Sequence, residues 1–153
     1  MGIIYKNSIT DVKKCLSEVD LLEIETKYNF KFPKEIREHY LEYNGGTLEK
    51  EIFKDSDGGK YIFNWFIPIK YGKRNLATVL DILRIDPVLP EWLIPFADDP
   101  GGDLFCFSIK EGESGSIYYW SHEYVYGEDP KEHIWYLTRS LAEFIHSMIE
   151  EEN

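Results

Sequence analysis

Three carboxylates crowd one turn of this chain. In IPFADDPGGDLFCFSI (residues 94–109), Asp98, Asp99 and Asp103 surround Pro100, Gly101 and Gly102 between two apolar runs. Paired carboxylates do general acid–base work, and Asp98 with Asp103 could face each other across a hairpin in the way a glycosidase sets two acids about a sugar. Nothing around them looks like a sugar-binding cleft. Carboxylates also hold calcium, but that ion needs oxygens at the regular spacing of a D-x-D-x-D-G loop, which is missing here. The remaining use is structural. Pro100-Gly101 suits the central positions of a type II turn, Gly supplying positive φ, while Asp99 accepts backbone hydrogen bonds at the turn entry. The cluster therefore reads as a hairpin turn first and an acidic steering patch second.

The other reactive side chains are dispersed. His39 and His146 fall on helical stretches among core residues and read as structural. His122 and His133 lie in or beside HEYVYGEDPKEH (122–133) with carboxylates nearby, and two histidines without a third closely spaced ligand are a weak metal signal. Cys106 stands between Phe105 and Phe107, which suggests an inert buried thiol. With Cys15 it fits neither a disulfide framework nor a zinc spacing, which points to a reducing, cytoplasmic setting. There is no phosphate-cradling glycine loop, G-x-S-x-G or H-E-x-x-H. The expectation is a domain with no catalytic residue, no metal and no cofactor.

Binding chemistry is better represented. YYWSHEYVYGEDPKEHIWY (118–136) mixes aromatics with acids. If Ile117 and Tyr119 face the core, Tyr118 and Trp120 face the other side of their strand, with Glu123, Tyr124, Tyr126, Glu128 and Asp129 in a loop beyond. Tyr and Trp anchor protein interfaces while carboxylates steer and orient a cationic partner. Charge supports this. The net value is −11, yet residues 1–76 hold 13 Lys/Arg against 12 Asp/Glu and residues 77–153 hold 4 against 16. All the excess acid lies in the second half, so nucleic acid and anionic membrane are poor partners.

The elements that must position these residues are legible from periodicity. At 153 residues, 43% hydrophobic and 16% aromatic, the chain is long and apolar enough for one packed domain spanning 1–153. MGIIYKNSIT lacks the apolar core of a signal peptide, and YIFNWFIPI (61–69) is too short to span a bilayer. SEVDLLEIETKYNF (17–30) predicts a helix capped by Ser17. FKFPKEIREHYLEYNGG predicts a second, with Pro33 in its first turn and Asn44-Gly45-Gly46 as its stop. EIFKDSDGGKYIFNWFIPI predicts two strands joined through DSDGG, and NLATVLDILRI a third helix from Asn75 to Asp86-Pro87. WLIPFA, DLFCFSIK and GSIYYWSH follow as an antiparallel meander. SLAEFIHSMIEE closes as an amphipathic helix with a Ser140/Glu143 capping box. The order α-α-β-β-α-β-β-β-α implies an α+β domain with helices packed on an antiparallel sheet.

Three of these stretches also carry a resemblance. IETKYNFKFPKEIREHYLEYNGG (24–46), IPFADDPGGDLFCFSI and GSIYYWSHE (115–123), with SLAEFIHSMI after them, resemble in order the signatures of the SUKH superfamily. That superfamily includes the fungal Smi/Knr cell-wall-synthesis regulators and many bacterial immunity proteins. Two departures are Tyr28-Asn29, where a Gly often follows the first helix, and the proline in DDPGG. The resemblance implies a non-enzymatic binding domain, and for bacterial members an antidote that neutralises a toxin, often a nuclease. A nuclease needs a basic surface to hold phosphates, which an acidic domain can cover. The expected partner is thus a cognate, basic protein toxin; the alternative is a regulatory scaffold binding host signalling proteins. The expected contacts are Asp98, Asp99, Asp103, Glu111, Glu113, Glu123, Glu128 and Asp129, with Trp120, Tyr124 and Tyr126 as anchors.

Overall fold

A computed structural model describes residues 5–85, 89–122 and 133–150. Its elements run β1 (Ile9–Val12), α1 (Glu18–Tyr28), α2 (Lys34–Glu42), β2 (Gly45–Leu48), β3 (Ile52–Lys54), β4 (Lys60–Ile62), β5 (Trp65–Phe66), α3 (Leu76–Ile85), β6 (Leu93–Asp98), β7 (Leu104–Ser108), β8 (Ile117–Trp120), β9 (Ile134–Thr138) and α4 (Leu141–His146). This is the expected α+β domain of helices and antiparallel sheets. The meander is larger than its three expected strands, because β5 and β9 extend it to the order β5-β6-β7-β8-β9. Two small sheets, β1-β2 and β3-β4, complete the set.

Local chemistry explains the helix limits. Ser17 accepts from the Asp20 N–H while Asp20 Oδ2 accepts from the Ser17 N–H, so two orphan donors are satisfied reciprocally. Asn29, in the left-handed region at φ 56, ends α1 without a glycine. Glu25 on α1 is buried and accepts from the Phe32 N–H at 2.8 Å and from Arg37 on α2 at 2.5 Å, which fixes the turn between the helices. Asn75 and Thr78 exchange side chain-to-backbone bonds at 3.1 Å and start α3.

The expected glycine stop of α2 is corrected. Tyr43 is the C-cap, with an extended φ of −132°, and Gly45 and Gly46 begin β2 instead. Gly46 is required there, because at φ 90 a Cβ would stand 2.6 Å from the Thr10 carbonyl oxygen of the paired strand. Asn44, just before, is buried. Its amide donates to the carbonyls of Lys14 (2.9 Å) and Ile69 (3.0 Å) and accepts from the Ile69 N–H (2.7 Å), clamping two loops onto β2.

Two adjacent rows cross the large sheet. One runs Trp65–Asp98–Leu104–Trp120–Ile134 and the next runs Phe66–Ala97–Phe105–Tyr119–Trp135. Successive side chains point to opposite faces, so the rows serve different surroundings. Phe144 of α4 lies on the second row's face, 5.2 Å from Phe105 and also against Phe53, Phe63 and Phe96. The other face is equally dry: Leu104, Cys106, Tyr118 and Trp120 are all buried. Every residue of β6 and β7 is buried, which is why these strands read as continuous apolar runs instead of alternating ones.

Candidate functional site

The acidic turn is a three-residue hairpin loop. Gly102 N–H donates to the Asp99 carbonyl at 3.2 Å, Asp99 N–H to the Asp103 carbonyl at 3.0 Å, and the positive φ falls on Gly102 (φ 97). That is a type I turn closed by a glycine bulge; the expected type II turn with Gly101 left-handed is corrected. Asp99 does hold the turn, its Oδ1 accepting from the N–H groups of Gly101 and Asp103, each at 2.9 Å.

The three aspartates part company here. Asp98 is only 6% exposed; it accepts from the Trp65 N–H at 3.1 Å and pairs with Arg74 at 2.6 Å. Burial raises its pKa, with the Trp65 N–H and Arg74 acting against that rise. Asp99 and Asp103 converge instead on the Tyr119 hydroxyl, which reaches Asp99 Oδ2 at 2.8 Å and Asp103 Oδ2 closer still. Asp103 Oδ1 also accepts from the His122 N–H at 3.0 Å and lies 2.5 Å from His122 Nδ1. Burial pushes the Asp103 carboxyl up, but the Tyr119 and His122 bonds together carry it below the usual range. Burial, then the two carboxylates, hold the Tyr119 phenol far up and protonated. Asp98 and Asp103 therefore form no catalytic pair.

Around Tyr119 an aromatic ridge crosses from one sheet to another. Its ring stands 4.8 Å from Tyr61 on β4 and 6.1 Å from Trp135 on β9, and Trp135 stands 6.3 Å from His133. Tyr61 donates to Asp55 Oδ2 at 3.1 Å, and burial with that carboxylate lifts its pKa to about 12. Asp55 is kept low, first by the Gly59 N–H, because it holds the β3-β4 turn much as Asp99 holds its own. Trp135 is 43% exposed and its neighbour Tyr136 56%. Phenols, indole, imidazole and carboxylates thus share one half-wet surface that can anchor and hydrogen-bond a partner. Among the described residues no group of three or more His, Cys, Asp or Glu could hold a metal ion.

Several expected contact residues stand elsewhere. Trp120, expected as an exposed anchor, is 4% exposed and its Nε1 has no hydrogen-bond partner among the described residues; the sheet is buried on both faces, so alternation along β8 does not mean inside and outside. Asp98 is likewise interior and ion-paired. Glu111 and Glu113 are exposed in the β7–β8 turn, Glu113 near enough to Tyr118 to help burial raise that phenol to about 12. Glu123, Tyr124, Tyr126, Glu128 and Asp129 lie outside the described residues. Sequence reading missed Tyr61, Tyr119, Trp135 and Tyr136 as surface groups. The available signal was IWYLT (134–138), a strand-like run after the acidic stretch of sequence. Cys106 is fully buried, which drives its thiol pKa up, as expected of an inert thiol.

Comparison with curated proteins gives no match. A family model does match, the SMI1 / KNR4 family (SUKH-1), over residues 15–147. Everything from α1 to α4, including the helix pair, the acidic hairpin and the aromatic ridge, falls within that span, and the chain belongs to the SMI1 / KNR4 family (SUKH-1).

Proposed function

We propose that this domain is a cytoplasmic immunity protein that neutralises a cognate basic toxin by direct binding, without catalysis. The observation that carries the reading is the exposed Trp135 beside Tyr119, which is locked by two carboxylates; Tyr136, also exposed, stands with Tyr118 on the other face of the strand. Rigid aromatic anchors beside acceptor groups suit a protein interface, because little side-chain entropy is left to lose on binding. Glu111 and Glu113 supply open negative charge in the β7–β8 turn, and the acidic, aromatic stretch with Glu123, Tyr124, Tyr126, Glu128 and Asp129 adds further contacts to the proposal. Asp99 and Asp103 act by presenting Tyr119 more than by steering. The excess acid of the second half speeds capture of a cationic partner. No helix among the described residues is long and apolar enough to cross a membrane.

The test is affinity capture from source-cell lysate with the wild-type chain and with a Trp135→Ala/Tyr136→Ala variant, eluted by a salt gradient and identified by mass spectrometry. A basic, toxin-like domain retained by the first and lost by the second supports the reading, and co-expression should then rescue cells from that toxin. Retention of signalling or cell-wall-synthesis proteins alone would turn the reading to a regulatory scaffold.

A further inference from the structure

A concave site lies against Asp98, at the turn end of β6. Its walls are Trp65, Phe66, Ile67 and Pro68 on one side and Lys13, Lys73 and Arg74 on the other, with Asp98 at the back; its volume is about 400 Å³. That volume falls within the range of small-molecule sites, and the mixture of apolar wall and few charged groups is typical of them. Three cations face one carboxylate, leaving two positive charges in excess inside a protein of net charge −11.

The site is held in place before anything binds. Asp98 fixes Trp65 through its backbone N–H, and Phe66 beneath packs against Phe63 at 4.7 Å, His39 at 4.8 Å and Phe96 at 6.3 Å. The indole of Trp65 is 43% exposed at the rim. Arg74 gives one nitrogen to Asp98 and keeps its other donors, while Lys13 and Lys73 are exposed and in no ion pair among the described residues. Gly46 and Gly72 bring bare backbone to the wall, with no side chain to fill the space.

We propose that this pocket binds a small planar phosphomonoester of the size of a nucleoside monophosphate. A phosphomonoester carries about two negative charges at neutral pH, matching the local excess. Arg74 and the two lysines take its oxygens, and the exposed indole stacks on the ring. A long polyanion fits less well, because the acidic second half repels it outside the pocket. The site shares no residue with the aromatic ridge, so the proposal stands apart from the toxin reading.

The experiment titrates the full chain at low salt with AMP, adenosine, inorganic phosphate and a phosphotyrosine peptide, following tryptophan indole resonances by NMR. The Trp65 signal is assigned by its loss in Trp65→Phe. Saturable movement of that signal with AMP, at least about tenfold weaker binding of adenosine and of phosphate, and a loss of about tenfold in Trp65→Ala are expected. Lys13→Ala/Lys73→Ala should weaken AMP by tenfold or more with an unchanged unfolding midpoint, since both side chains are exposed and neither has an ion-pair partner among the described residues. Movement of Trp135 instead, AMP bound no better than phosphate, an unaffected double variant, or tighter binding of the peptide would each overturn the proposal.

Discussion

Asp98 and Asp99 are adjacent in the chain, yet they serve different neighbourhoods. Asp98 is interior, neutralised by Arg74, and forms the back of a cationic pocket. Asp99 turns to the aromatic ridge, where it shares the Tyr119 hydroxyl with Asp103. One neighbourhood gathers positive charge that the sequence scatters over residues 13 to 74; the other spends its negative charge on internal hydrogen bonds. Formal charge along a chain therefore says little about which sign a surface presents. The acids that looked like a steering patch are largely occupied, and the cations that looked balanced are not.

Substitutions can pull the two neighbourhoods apart. The largest effect should come from Phe144→Ala, because Phe144 packs under both through Phe63, Phe96 and Phe105; a loss of about 3–5 kcal/mol is expected in denaturant unfolding. Asp98→Ala should cost about 2–3 kcal/mol, since it removes an interior acceptor of one backbone and one guanidinium bond. Its indole signals should move at Trp65 and not at Trp135. Next is pH. His39 is 1% exposed, packed on Phe66, and burial alone drops its pKa from about 6.5 to about 3. Between those values the unfolded chain holds a proton that the folded one refuses. Stability therefore falls as pH drops from about 6.5 toward 3, by up to about 1.4 kcal/mol per unit. A His39→Gln variant should show a flatter acid limb in thermal melts; equal limbs would remove His39 from the account.

Tyr119→Phe should cost about 1–2 kcal/mol by leaving two half-buried carboxylates without their shared donor, and should disturb Trp135 while sparing Trp65. The smallest effect on stability belongs to Glu111→Lys/Glu113→Lys, within about 0.5 kcal/mol, because both are exposed. This variant should nonetheless slow association with a captured basic partner and flatten its salt dependence, whereas the same kinetics in both proteins would deny these acids a steering role.

Most of the fold was legible because it rests on local chemistry. Ser17, Pro33, Asn75 and Ser140 mark helix starts, and DSDGG and DDPGG mark hairpin turns. What escaped had no local mark. β1 is four residues with one half-buried side chain, so no apolar pattern announces it. β2 hides behind Gly45-Gly46, which reads as a helix stop until the Thr10 strand is seen to need bare backbone beside it. The site was harder for the same reason. Asp99 as turn holder follows from spacing, but Tyr61 meeting Tyr119 depends on one sheet lying against another, and nothing within either segment encodes that. Trp120 went inside because both faces of the sheet are covered, a fact of tertiary packing.

An isolated backbone bridge between Ile52 and Ile149, with bonds of 3.1 and 2.8 Å, joins the start of β3 to the residues just past α4. Its kinetic meaning differs from its small size. The five strands of the meander pair strictly with sequence neighbours, so their connections close at lower entropic cost than this bridge, which spans nearly a hundred residues. On that ground it is expected to form late in folding and to open early. Weakening it with Ile149→Pro should leave the refolding rate nearly unchanged and raise the unfolding rate, the behaviour of a latch on the folded state; slowed refolding would place the bridge in the folding nucleus instead.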